Sequence, residues 1–113
     1  MPKLRIPERD NLKAIKDYLT LQGFQVCRLH SGGLAKNGHF IKMGCSGLPD
    51  LLAIKKGHPL LFLEIKGSNG KLSLKQQEMI ALLNKAGLNG VVAKAVWSLD
   101  EVINLIKQLK KNK

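Results

Sequence analysis

The sequence predicts a mixed α/β fold, a central mixed sheet flanked by helices, in the order α-β-β-β-β-α-β-α. Three observations carry this reading. Leu12, Ile15 and Leu19 recur at helical spacing, two dense apolar runs flank a short turn, and the short run Gly90 to Val96 separates the last two helices. A chain of 113 residues has room for one domain, residues 1–113, and little more.

The first helix spans about Glu8 to Gln22, where Leu12, Ile15 and Leu19 repeat at helical offsets and Gly23 supplies a stop. Phe24 to His30 reads as a strand. Ser31 to Gly38 reads as a loop, basic and Gly-rich but without the Gly-Lys-Ser/Thr end of a P-loop, and His39 to Lys42 as a short strand. Leu51 to Ile54 and Leu60 to Ile65, either side of Lys55 to Pro59, form a hairpin of central strands with apolar residues on both faces. Ser73 to Ala86 is a second helix ending at Gly87, and Gly90 to Val96 a short buried strand. Ser98 to Leu109 is a third helix, opened by the capping box Ser98-x-x-Glu101, and the basic tail of about 107–113 is expected to fray into solvent.

Charge narrows the function. Nineteen Lys and Arg against eight Asp and Glu leave a net charge of +11, which favours a polyanionic partner, nucleic acid first. The bland counterpart is a solubilising surface. Aromatic residues are only 4%, too few for a single-strand stacking platform, so phosphate contact is the better expectation. No basic helix lines Trp or Phe along one face, which disfavours a membrane surface. No apolar run approaches the ~20 residues of a membrane span, the opening MPKLRIPERD lacks a signal-peptide core, and two cysteines make no disulfide framework. A cytoplasmic setting is expected.

The strand Leu60 to Lys66 holds the least comfortable residues. Glu64 and Lys66 sit two apart and project from one face of a strand that otherwise wants apolar cover. Unpaired burial of either costs several kcal/mol, roughly. They form an ion pair with each other, or they serve a ligand at the sheet's edge. A hairpin symmetric about Gly57 adds Asp50, because 50 and 64 are equidistant from 57. Two carboxylates opposed at roughly 4.5–5.5 Å repel unless one is protonated or a cation lies between them. A divalent ion with oxygen ligands fits.

Gly47-Leu48-Pro49-Asp50, then Glu64-Ile65-Lys66, then Ser73-Leu74-Lys75-Gln76 resembles the PD-(D/E)xK nuclease superfamily, and within it the VRR-NUC domain. The resemblance runs from Glu8 to the third helix and implies a restriction-endonuclease-like fold. It implies an Mg²⁺/Mn²⁺-dependent endonuclease cutting DNA phosphodiesters. Asp50 and Glu64 would hold the metal, with the Ile65 main-chain carbonyl and an acid near the start of the first helix, matched by Glu8. Glu8 shares a stripe with Leu12, Ile15 and Leu19, and Asp10 is the substitute if the helix register differs. Lys66 would orient or deprotonate the attacking water, and Gln76 would support that water or Lys66. Stand-alone members resemble Holliday-junction resolvases, which implies a homodimer acting on four-way junction DNA in a bacterial or phage-infected cell.

Alternatives stay open at this point. Gln76 also completes a capping box with Ser73, Glu8 also suits a helix N-terminus, and Asp50 also suits a turn after Pro49. Arg28, Lys36, Lys42 and Lys71 are candidate DNA-backbone contacts, with a solvated surface as their plain reading. Cys27, His30, His39 and Cys45 form a conceivable zinc set of non-standard spacing; a buried Cys27 and surface histidines are the simpler reading. Trp97 reads as a core anchor. The competing function is a non-catalytic basic DNA- or RNA-binding module in which Glu64 and Lys66 merely pair. A ribosome-associated RNA binder would explain the charge but leave the acidic cluster without a role.

Overall fold

The computed structural model of the protein describes residues 5–29, 33–36, 39–42 and 46–111, without the side chains of 33–36 and 39–42. Helix α1 (Glu8–Leu21) leads into β1 (Gln25–Arg28), β2 (Gly33–Lys36), β3 (His39–Lys42), β4 (Leu51–Ile54) and β5 (Leu60–Ile65). Helix α2 (Leu74–Ala86), β6 (Val91–Val96) and α3 (Leu99–Lys111) complete the chain. Four strands form a mixed sheet in the order β1-β4-β5-β6, antiparallel except for the parallel β5/β6 pair, and β2 and β3 form a separate ribbon.

One strand was not expected. Residues 33–36, read as loop from their glycines, pair with β3 in an antiparallel register that sets Lys36 opposite His39. The two residues left between the strands are Asn37-Gly38, a pair that favours hairpin turns. The order therefore gains a strand before α2. The basic end also differs from expectation, because α3 stays helical through Lys111 with Lys107, Lys110 and Lys111 exposed. Cations in a last helical turn complement the helix dipole, which favours continuation over fraying.

The core lies on one face of the sheet. Ile15 and Leu19 of α1 and Val102, Leu105 and Ile106 of α3 pack with Leu51, Ala53, Leu61, Leu63, Ile65 and Val96. The alternation within β4 and β5 follows from the two-residue period of a strand. The opposite face is less covered than two apolar faces suggest: Leu52 and Phe62 are half-buried, and Ile54 and Leu60 are exposed. Helix α2 packs along β6 with no buried residue of its own. Its Asn84 carboxamide exchanges hydrogen bonds of 2.9 and 2.8 Å with the Ala93 backbone, closing part of the sheet's outer edge.

The strand directions decide where chemistry gathers. The end of β1, the start of β4, and the ends of β5 and β6 all fall at one edge of the sheet. Among the described residues no helix is long and apolar enough to cross a membrane.

Candidate active site

Asp50 enters this edge through its register. Leu51 pairs with Leu63, so Asp50 comes opposite Glu64, as the hairpin arithmetic requires. Pro49 is fully buried and stiffens the approach. The Leu29 amide donates to the Asp50 carbonyl at 2.8 Å, while Asp50 Oδ2 accepts the Ile65 amide at 2.8 Å. The carboxylate thus replaces a strand partner where β4 gives out. The Ile65 amide turns toward β4, and the carbonyl of an extended residue shares that edge.

Glu64 is buried, 4% exposed, and hydrogen-bonds to the Asp50 side chain. Burial pushes its carboxyl up to about 8; the hydrogen bond and charge of Asp50 push the same way, Lys66 opposes, and Glu8 adds to the rise. Lys66 Nζ stands 3.8 Å from Glu64 Oε2, with the side chain largely covered. Period two in the strand delivers this neighbour, and both sequence readings, ion pair and ligand-ready cluster, share the same geometry.

Glu8 is exposed at the first turn of α1. A strap ahead of the helix brings it to the site: the Ser68 amide donates to the Ile6 carbonyl at 3.0 Å, and the Ile6 amide donates to Ser68 Oγ at 2.9 Å. Gly67, directly after Lys66, permits this approach, since a Cβ there would lie 2.8 Å from the Glu8 nitrogen. Both segments line a hollow of about 360 Å³, Glu8 and Gly70 among its lining residues.

Gln76 lies in the first turn of α2. Its Oε1 accepts the Ser73 amide at 2.9 Å, and its own amide donates to Ser73 Oγ at 3.1 Å, a complete capping box. Gly47, at φ +80°, sets the Gly-Leu-Pro-Asp segment against this turn, where a Cβ would meet the Lys75 carbonyl oxygen at 2.5 Å. Asp50 and the start of α2 are therefore tied to one loop.

Asn11 was missed. It is 3% exposed on α1 and donates to the carbonyls of Lys66 at 2.9 Å and Trp97 at 2.8 Å. The signal was a polar residue on the buried stripe, one turn before Ile15. Trp97, the expected anchor, is half-buried, and its Nε1 donates to the Gly70 carbonyl at 2.7 Å. The third helix's cap is a variant of the expected box: the Glu101 amide donates to Ser98 Oγ, and its carboxylate accepts the Trp97 amide in place of that of Ser98.

The other candidates are more dispersed. Arg28 is exposed at the end of β1, at the same sheet edge, and Lys71 is exposed between Gly70 and α2. The side chains of Lys36 and Lys42 lie outside the described residues. Of the conceivable zinc set, Cys27 is half-buried, while His30, Cys45 and the His39 side chain lie outside the described residues. Among the described residues no three of His, Cys, Asp and Glu converge as a ready metal cage.

The edge thus presents two carboxylates in contact, a covered lysine beside one of them, and main-chain groups held by a buried asparagine. No curated protein and no solved structure matches the chain. A family model, that of the VRR-NUC domain, matches residues 13–97. The match takes in Asp50, Glu64, Lys66 and Gln76 and most of the fold, and the chain belongs to the VRR-NUC domain family, which implies a nuclease-type function.

Proposed function

We propose that the protein is a metal-dependent DNA endonuclease of restriction-endonuclease-like fold, with its active site at Asp50, Glu64 and Lys66. The observation that carries this is the Asp50–Glu64 contact in a buried setting, with Lys66 alongside. Two acids in contact at a covered sheet end form a poor structural device, because one must stay protonated. They suit a hard divalent cation such as Mg²⁺ or Mn²⁺. Mg²⁺ commonly takes one or two carboxylates and fills the rest of its shell with water and phosphate oxygens. Asp50, Glu64 and the Ile65 carbonyl would hold the ion, with Glu8 adding negative charge from α1. The ion supplies a Lewis acid and a water of lowered pKa.

The chain's own groups do the rest. Lys66 as the ammonium orients the attacking water and offsets charge growing on the phosphate, whereas deprotonating that water would need its neutral amine. Its position next to Glu64 keeps the ammonium at the reacting centre. Asn11 fixes the Lys66 main chain from behind, so the side chain starts from a rigid strand end. Gln76 supports the water or Lys66 from α2. A surplus of cations across the chain suits a phosphate backbone, and a C2 dimer suits a two-fold four-way junction.

The second reading is a nucleic-acid-binding module without catalysis; the Lys66–Glu64 pair at 3.8 Å is what such a module would show. Cleavage separates the two. Wild type and Lys66→Ala are incubated with four-way junction, linear duplex, flap and single-stranded DNA in Mg²⁺ or Mn²⁺. The nuclease reading expects wild-type cutting with preference for the junction, and a loss of about 10²–10⁴-fold in Lys66→Ala. DNA that is bound but never cut supports the binding module.

A further inference from the structure

Four cations beside the proposed cleavage site take no part in it. Arg9, Lys13 and Lys16 recur at offsets of four and three along α1, so they share one helical stripe, and Arg28 ends β1 next to them. With Leu12 and Leu51 they line a hollow of about 210 Å³. Among the described residues no acidic side chain lines it. Lys13 makes one exposed ion pair, with Asp17 at 3.8 Å, of a kind that contributes little in water.

Position relates the hollow to the site. Leu51 follows Asp50 directly, and Arg28 is the register partner of Leu51. Arg9 follows Glu8, turned by ~100° along α1 toward β1. The hollow and the carboxylates therefore share one end of the sheet, the hollow on the Leu51 face and the carboxylates on the other. Two guanidinium forks and two ammonium groups around an apolar floor match a phosphate diester, which accepts bidentate Arg contacts and point charges alike.

We propose that this hollow is a second phosphate subsite, holding a further backbone phosphate of DNA whose cleavable phosphate lies at Asp50, Glu64 and Lys66. The place of the cleavable phosphate rests on the nuclease reading; the recognition of DNA backbone rests on the hollow itself.

The test is equilibrium binding of labelled duplex DNA in EDTA over a salt series, where no metal-dependent step intervenes. Full-length wild type is compared with Arg9→Gln/Arg28→Gln and with Lys107→Gln/Lys110→Gln, which removes equal charge from the exposed end of α3. Each lost phosphate contact lowers the salt slope by about 0.9, so the hollow variant should lose about one unit of slope and bind about tenfold more weakly at 0.1 M salt. The α3 variant should stay near wild type. Equal weakening of both variants, or none in the hollow variant, overturns the proposal. Cleavage in Mg²⁺ or Mn²⁺, read in parallel, keeps the two claims apart. If the hollow effect appears but wild type never cuts, the nuclease reading fails and the backbone site stands. If wild type cuts and the hollow variant binds like wild type, only the subsite falls.

Discussion

Asn11 donates one amide hydrogen to the Lys66 carbonyl at 2.9 Å and the other to the Trp97 carbonyl at 2.8 Å. One buried side chain thereby ties α1 to the ends of β5 and β6, where the parallel pair runs out and its carbonyls would otherwise lack partners. Asn11→Ala leaves both short of a donor and should cost about 1–3 kcal/mol in denaturant unfolding. Asn11→Asp should cost more, since it sets a carboxylate against two carbonyl oxygens. Cleavage by Asn11→Ala, at a temperature where it is fully folded, should fall with the loosened Lys66 main chain. Stability within about 0.5 kcal/mol of wild type would contradict this role.

Gln76 offers a separation of cap from chemistry. Gln76→Ala removes half of the capping box and should cost about 1 kcal/mol. Gln76→Glu keeps the box, because Glu serves at that position as well as Gln, but loses the carboxamide donor. Support of the water or Lys66 by that amide predicts normal thermal stability for Gln76→Glu and a cleavage loss of about 10–100-fold. Full activity in Gln76→Glu would reduce Gln76 to a cap.

The raised Glu64 carboxyl gives a pH signature. Burial first, then Asp50, moves it from its ordinary 4.5 to about 8. Between those values the folded protein holds a proton that the unfolded chain releases. This contribution is fully present below about pH 4.5 and is lost as pH rises through about 8. In EDTA, the Tm of wild type should fall between pH 5 and 8 by more than that of Glu64→Gln. Parallel profiles would show that Glu64 titrates normally.

How far the sequence foretold this site depends on the range of each contact. The Asp50–Glu64 opposition follows from counting either side of Gly57, and the Glu64–Lys66 neighbourhood from the two-residue strand period; both are local. Asn11 was not legible because its carbonyl partners, Lys66 and Trp97, lie far along the chain. The close approaches at Gly47 and Gly67 were equally hidden, since each joins segments that only tertiary packing brings together. The cationic hollow needed knowledge of which face of α1 meets β1. The β2 strand lies within Ser31 to Gly38, whose Gly-rich composition reads as a loop.

The central claim is that Asp50 and Glu64 jointly hold a divalent ion. Calorimetric titration of Mn²⁺ into wild type, Asp50→Asn, Glu64→Gln and Lys66→Ala at neutral pH tests it most directly. Uptake by wild type and Lys66→Ala, with affinity reduced at least about tenfold in each carboxylate variant, is the predicted result. Equal Mn²⁺ affinity in all four proteins, or none in wild type, would contradict it.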